Sequence, residues 1–305
     1  EQATSFETLK KRKAINQLFS AIESYSKNSE IRYVGGCIRK ILNNEKIDDI
    51  DFAVNLKPNE CIEALNKKNI KFYETGIDHG TLTAIIDNYK FEITSLRKDL
   101  NTDGRHAKVA FTTDWHEDAS RRDFTINSIY SDIDGNLYDP FDGKKHLQIG
   151  KIEFIGASEK RIKEDYLRIL RYIRFFINYS KLPHNEKVKK IIKQNLNGVS
   201  NISSERLLDE FKKIINSSSF LRLFQEPFCE EIINLIFPQF KNFGIFKKLN
   251  SYAEKNIKKV DYIFLISLML IDNTDNADYF LFKFNLSKIN KKRILFLKDF
   301  YNKKI

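Results

Sequence analysis

At 305 residues the chain is long enough for two or three small modules, each with a core of its own. Its formal net charge of +11 points to a polyanionic partner, unless the excess merely follows a Lys-, Asn- and Ile-rich composition. Cys37, Cys61 and Cys229 are odd in number and lack metal-type spacing, which excludes a disulfide framework and a zinc site and reads as reduced thiols in a cytosol.

In chain order, residues 6–26 carry helical periodicity through Leu9, Ile15, Leu18, Phe19 and Ile22, and predict one helix packed on the head. A short apolar run over 31–34 then ends in Gly35-Gly36, so a buried strand gives way to a turn where backbone can approach a ligand closely. Free N–H groups in such a turn, opening onto a helix over 37–43, suit a phosphate. Asp49 and Asp51 fall two apart in a second strand over 50–54, so both side chains are expected on one face. Such neighbours are either solvated edge residues or a pair that repels until a cation sits between them, as two-metal phosphoryl transfer requires. A helix over 59–68, a strand over 70–74 and a hairpin of 82–86 with 90–96, turning at Asp87-Asn88, follow. Glu92, on that hairpin, is either a third acid near the pair or a buried partner of Arg97, and is left outside the metal set. Residues 98–113 are polar, contain Gly104 and read as a flexible loop.

Arg122 and Asp123 precede an apolar, strand-like run, and Asp139-Pro140-Phe141-Asp142-Gly143 is turn chemistry at the exit from the head. Beyond Ser158 the periodicity is helical almost throughout, broken at Pro183, Gly198, Pro227, Pro238 and 272–276. Within a helix over 158–179, Asp165 and Arg168 are three apart and share a face that Arg171 continues. On spacing alone these are a surface ion pair, just as Arg121-Arg122-Asp123 alone is a solvated helix end. The five histidines show no ligand spacing. No charged-then-apolar leader opens the chain, and the run 263–271 is too short to span a bilayer and reads as a core helix. The expectation is a cytoplasmic α+β protein with no membrane contact. It divides into a mixed-sheet head over 1–140, a helical neck over 141–220 and a helical body over 221–305.

The motifs carry a resemblance that covers roughly residues 31–211. They run, in order, Gly35-Gly36-x-x-Arg39, Asp49-x-Asp51, His79-Gly80-Thr81-Leu82-Thr83, Phe91-Glu92-Ile93-Thr94-Ser95-Leu96-Arg97, Asp103-Gly104-Arg105-His106 and Arg121-Arg122-Asp123-Phe124-Thr125-Ile126-Asn127. Then come Asp139-Pro140-Phe141-Asp142-Gly143, Arg161-Ile162-x-Glu164-Asp165-Tyr166-Leu167-Arg168-Ile169-Leu170-Arg171 and Ser204-Glu205-Arg206-Leu207-x-x-Glu210. In this series the chain resembles the class II tRNA nucleotidyltransferases, or CCA-adding enzymes, and their relatives the bacterial poly(A) polymerases, within the polymerase-β-like superfamily.

The resemblance implies a polymerase-β-like head and template-independent addition of CCA to the 3′ end of tRNA from CTP and ATP. It implies that Asp49 and Asp51 hold two Mg²⁺ ions, that Gly35, Gly36 and Arg39 form the first phosphate-binding motif, that Arg122 lies near phosphate, and that Asp123 favours the ribose 2′-hydroxyl. Asp165 and Arg168 would read the base edge, Arg171 and Arg174 would reach the triphosphate, Glu164 would anchor Arg168, and Glu205, Arg206 and Glu210 would buttress that helix. The polar loop would act as a lever in the switch from C to A. Lys40 stands where the family usually has an acid, and the region beyond the neck is short, implying a reduced tail. The same site would also serve a CC-only or A-only enzyme or a poly(A) polymerase. A non-catalytic RNA-binding relative should have lost the paired carboxylates first.

Overall fold

The computed structural model describes residues 3–100 and 109–303. Contacts divide the chain into two compact units, Glu1–Ala157 and Ser158–Ile305. The first opens with helices α1 (Phe6–Lys10) and α2 (Lys13–Glu23), not the single helix that periodicity predicts. Arg12 turns extended between them (φ −75°, ψ 121°), and the Asn16 side-chain amide donates to the carbonyls of Lys10 (2.6 Å) and Arg12 (3.0 Å), tying the two helices at the break. Strand β1 (Ile31–Val34), helix α3 (Gly36–Leu42), strand β2 (Asp51–Val54) and helix α4 (Pro58–Lys67) follow closely as read from sequence. Strands β3 (Lys71–Gly76), β4 (Thr81–Ile86) and β5 (Tyr89–Ser95) come next. The β4–β5 turn places Asp87 (φ 48°) and Asn88 (φ 66°) both at positive φ, the conformation a two-residue hairpin needs and these residue types tolerate.

The polar stretch after β5 contains a ribbon the composition did not predict: β6 (Arg97–Asp99) pairs antiparallel with β7 (Val109–Phe111). Phe111 packs where only a glycine leaves space, since a Cβ on Gly80 (φ +79°) would lie 2.5 Å from its ring. The motif Asp103-Gly104-Arg105-His106 and the loop around it lie outside the described residues. Helix α5 (Trp115–Ser120), a 3₁₀ turn over Thr125–Asn127 in place of the expected strand, strands β8 (Tyr130–Ser131) and β9 (Leu137–Tyr138), and helix α6 (Gly143–Ile149) complete the unit.

Among the described residues the main sheet has seven strands in the order β3-β4-β5-β2-β1-β8-β9, with β2 and β5 parallel and the other neighbours antiparallel. One face carries the larger core. Phe19 of α2, Tyr33 of β1, Phe52 of β2 and Phe91 of β5 follow one another with ring centroids 5.3, 5.1 and 5.7 Å apart. The opposite face has a smaller patch of Val34, Ala53, Leu96, Ala119 and Tyr130. Period-two alternation therefore sends Phe52 into the core and leaves Asp51 on the other side.

The second unit contains only helices among its described residues: α7 (Ser158–Glu164), α8 (Arg168–Tyr179), α9 (Glu186–Gln194), α10 (Ser204–Ile215), α11 (Pro227–Ile236), α12 (Ser251–Asn256), α13 (Tyr262–Leu270), α14 (Asn276–Lys283) and α15 (Lys288–Lys303), with short 3₁₀ turns between some. Its core is rich in phenylalanine, with Phe211 of α10 4.8 Å from Phe237 and Phe280 4.5 Å from Phe284. Helix α13 buries Ile263, Leu265, Ile266, Met269 and Leu270, which accounts for its apolar run, and no described helix is long and apolar enough to cross a membrane.

The helix expected over 158–179 is two helices. Asp165 sits in the gap, where its carbonyl accepts from Arg168 N (3.1 Å) and its carboxylate from Leu167 N (3.1 Å). Tyr166 lies against Gly198, where a Cβ would fall 2.1 Å from the ring, so a glycine is required opposite the break.

Candidate active site

Strand β2 begins at Asp51, and Asp49 lies exposed in the loop just before it, so the two carboxylates do not share a strand face as their spacing predicts. They remain electrostatic neighbours. Burial first, then repulsion from Glu92 and Asp49, pushes the Asp51 carboxyl up to about 6 against the pull of Arg122. Glu92 stands in register with Asp51 on the parallel neighbour β5, and it is exposed. Arg97, its alternative partner, donates instead to the His79 carbonyl (3.2 Å). Among the described residues no group of three or more His, Cys, Asp or Glu side chains is arranged to hold a metal ion. What this edge of the sheet offers is an open group of repelling carboxylates.

The glycine turn adjoins this edge. Gly35 has φ +74° and ψ −129°, which side-chain-bearing residues rarely adopt, and it starts α3. Arg39 of α3 is 8 % exposed and donates to the Asn127 side-chain oxygen. Asn127 Nδ2 donates to Asp123 Oδ1 (3.0 Å), which also accepts from Phe124 N (2.7 Å). Asp123 is thus 6 % exposed and joined to the first motif through Asn127.

Arg122 lies on the other side of the turn, its Nη1 4.0 Å from where a Cβ on Gly35 would sit. Its Nε donates to the Tyr130 hydroxyl (3.2 Å) and its Nη2 to Asp118 (3.3 Å). Burial works against ionisation of Asp118, but Arg122 and Arg121 outweigh it and hold the carboxyl below its ordinary range.

In the second unit, Asp165 pairs with Arg206 of α10, Oδ2 to Nη2 at 2.9 Å, and not with Arg168. Arg168 donates to Glu164 (3.1 Å) and to the Arg161 carbonyl (2.8 Å), so Glu164 does anchor it. Arg174 donates to Glu210 through Nε (2.5 Å), and Arg171 lies 4.0 Å from the same carboxylate. Glu210 is 2 % exposed, a buried charge matched by cations from the neighbouring helix.

The profile of the Poly A polymerase head domain matches residues 31–153, and that of a probable RNA and SrmB-binding site of polymerase A matches residues 185–243. The chain is 44 % identical over 206 residues to the human mitochondrial CCA tRNA nucleotidyltransferase 1, covering 67 % of this chain and 46 % of that protein. It is 35 % identical over 246 residues to the CCA-adding enzyme of Lactobacillus johnsonii, covering 79 % of this chain and 59 % of that one.

The chain belongs to the class II tRNA nucleotidyltransferase and poly(A) polymerase family.

It spans about half the length of the curated relatives it matches. Solved structures share the fold. A CCA-adding enzyme in apo form II superposes with a TM-score of 0.73 at 20 % identity, covering 98 % of this chain and 75 % of that one. The Bacillus stearothermophilus CCA-adding enzyme in complex with CTP gives 0.63 at 21 %, covering 84 % and 69 %. The head is therefore polymerase-β-like and the fold class α+β.

Within this family member, sequence reasoning passed over Asp118, Asn127 and Tyr130. Asp118 had a local signal, because it precedes by four residues Arg122, which lies just past the end of its helix. Asn127 lies within the Arg-Arg-Asp motif, where the sequence gives it no role, and its bond to Arg39 closes 88 residues of chain. Tyr130 looked like an ordinary core aromatic, and only its pairing opposite Val34 brings it beside the glycine turn.

Proposed function

We propose that this protein adds CCA to the 3′ end of tRNA from CTP and ATP, the primer 3′-hydroxyl attacking the α-phosphate and pyrophosphate leaving. The observation that carries this reading is the Asp51–Glu92 register with Asp49 alongside, next to a glycine turn flanked by Arg122. An all-oxygen group whose members repel one another fits a hard divalent cation. Asp49 and Asp51 would hold Mg²⁺, with Glu92 outside that pair as a neighbouring charge. Two Mg²⁺ ions bound there would supply activation of the primer hydroxyl and neutralisation of charge on the α-phosphate and the leaving pyrophosphate.

The remaining work falls to the chain's own groups. Gly35 and Gly36 let backbone N–H groups approach phosphate oxygens, and the guanidinium forks of Arg39 and Arg122 suit the triphosphate. Asp123, fixed through Asn127, is the candidate for the ribose 2′-hydroxyl. Asp165, an acceptor, and Arg168, a donor, are the pair for the base edge, and such a protein template pairs with cytosine or adenine while mismatching uracil and guanine. Arg171 and Arg174, held by Glu210, are assigned to the triphosphate. Human and Lactobacillus relatives named for CCA addition, and CCA-adding enzyme structures with CTP and with ATP, support tRNA, CTP and ATP as partners. A division into head (1–140), neck (141–220) and body (221–305) goes with this reading. Three buried free cysteines support a reducing compartment, in our reading the cytosol.

Sequencing the 3′ ends made on a tRNA lacking CCA, with CTP and ATP together and singly, tests the reading. CCA ends are expected. CC ends with ATP in excess, A added only to a CC-ended tRNA, or a long A tract would each assign the same site to one of the alternative enzymes, and no extension at all would favour the RNA-binding relative.

A further inference from the structure

We propose that Asp118 is a positioning residue for the nucleotide triphosphate, acting through Arg122 with the Tyr130 hydroxyl as a bridge; this rests on the nucleotidyl-transfer reading above. Asp118 is 1 % exposed, on α5, one helical turn before Arg122. Its Oδ1 accepts from Arg97 N (3.1 Å) and Arg121 Nε (3.1 Å), and its Oδ2 from Arg122 Nη2 (3.3 Å) and the Tyr130 hydroxyl. That hydroxyl in turn accepts from Arg122 Nε. Two nitrogens of one planar guanidinium are thereby tied to a rigid, buried carboxylate–phenol pair. A planar group held along one edge cannot rotate, so the direction of its third nitrogen is set. That nitrogen, Nη1, is the one beside Gly35.

One carboxylate, Asp118, contacts two guanidiniums, Arg121 and Arg122. Tyr130 is anchored independently of these bonds, by its strand pairing opposite Val34 and an edge-on contact with Trp115 at 5.5 Å. The bridge therefore holds Arg122 against a fixed wall of the sheet.

Calorimetric titration with inorganic tripolyphosphate tests this without turnover, alongside steady-state KM values for CTP, ATP and tRNA. In Asp118→Asn the tripolyphosphate Kd and both nucleotide KM values should rise together by about tenfold or more, as expected when a charge-assisted contact loses its alignment. The KM for tRNA and the choice between CTP and ATP should not move. Tyr130→Phe, which keeps the ring, should give the same pattern at about threefold, and it carries the test if Asp118→Asn does not fold. A lower Tm with unchanged Kd and KM in the folded variants would assign Asp118 to holding the start of β6 alone and overturn the proposal. Weakened tripolyphosphate binding in a protein whose wild type does not extend tRNA would sustain the positioning role while removing the tRNA reading. CCA addition by the wild type with no change in the variants would do the reverse.

Discussion

At the scale of single residues, function concentrates where charge is held at a cost. Asp51 is ionised only against burial and two neighbouring carboxylates, so its side chain is poorly explained by stability. Asp51→Ala should reduce incorporation by about a thousandfold or more while leaving tRNA affinity nearly unchanged. Single-turnover extension beside a binding titration checks both, and more than trace activity would remove Asp51 from the metal set.

His184 is the opposite case, a half-buried polar group that serves the fold. Its ring stacks on Phe176 at 3.5 Å, and a neutral imidazole protonated on Nε2 can accept from the Tyr172 hydroxyl (2.7 Å) and donate to Cys229 Sγ (3.7 Å). Burial first, then Lys189 and Arg222, push its pKa down from 6.5 to about 4, with Glu186 opposing. The unfolded chain takes up this proton at a higher pH than the folded one, so stability is full above pH 6.5 and is lost as pH falls towards 4. With allowance for partial exposure, the loss should be about 2 kcal/mol. Comparing Tm at pH 7 and pH 4.5 in the wild type and in His184→Phe measures it, and an equal fall in both proteins would place the acid sensitivity elsewhere.

At the scale of elements, the interruption between α7 and α8 matters most. A continuous helix would set Asp165 and Arg168 on one face. The break instead gives Asp165 to Arg206 of α10 and leaves Arg168 with Glu164, so acceptor and donor are fixed by separate partners. Two groups oriented independently can each meet a different edge atom of one base. Asp165→Ala should therefore relax base choice, with UTP or GTP incorporation rising about tenfold relative to CTP. Incorporation measured with each triphosphate alone decides it. An unchanged preference with a lower rate would make Asp165 a structural partner of Arg206 only.

At the scale of the molecule, each unit supplies a different physical means of binding. The head gathers carboxylates, a glycine turn and buried guanidiniums. The helical unit exposes Lys187 and Lys190 on α9, inside the segment that matches a probable RNA-binding region. With a net charge of +11, affinity for tRNA should fall steeply with salt, the slope of log affinity against log salt being about −3 or steeper, as displaced counterions require. A slope near zero in filter-binding titrations would show that the positive charge is compositional and forms no binding surface.

Local features were legible in the sequence because their causes are local. Short apolar runs placed β1 and β2, strand patterning placed the β4–β5 hairpin, positive-φ residue types marked its turn, and Gly35-Gly36 announced a backbone conformation that a side chain would hinder. The motif order was enough to indicate the family. What the tertiary structure alone decided depends on pairings between distant segments. Glu92 becomes Asp51's neighbour only because β5 runs parallel to β2 in register, and Asn127 links Arg39 to Asp123 only because the 3₁₀ turn docks on α3. Helical periodicity likewise ran through residues 6–26 and 158–179 without showing the breaks at Arg12 and Asp165. Those depend on where Asn16, Gly198 and Arg206 stand in the folded chain, and periodicity records only which face of a helix is buried.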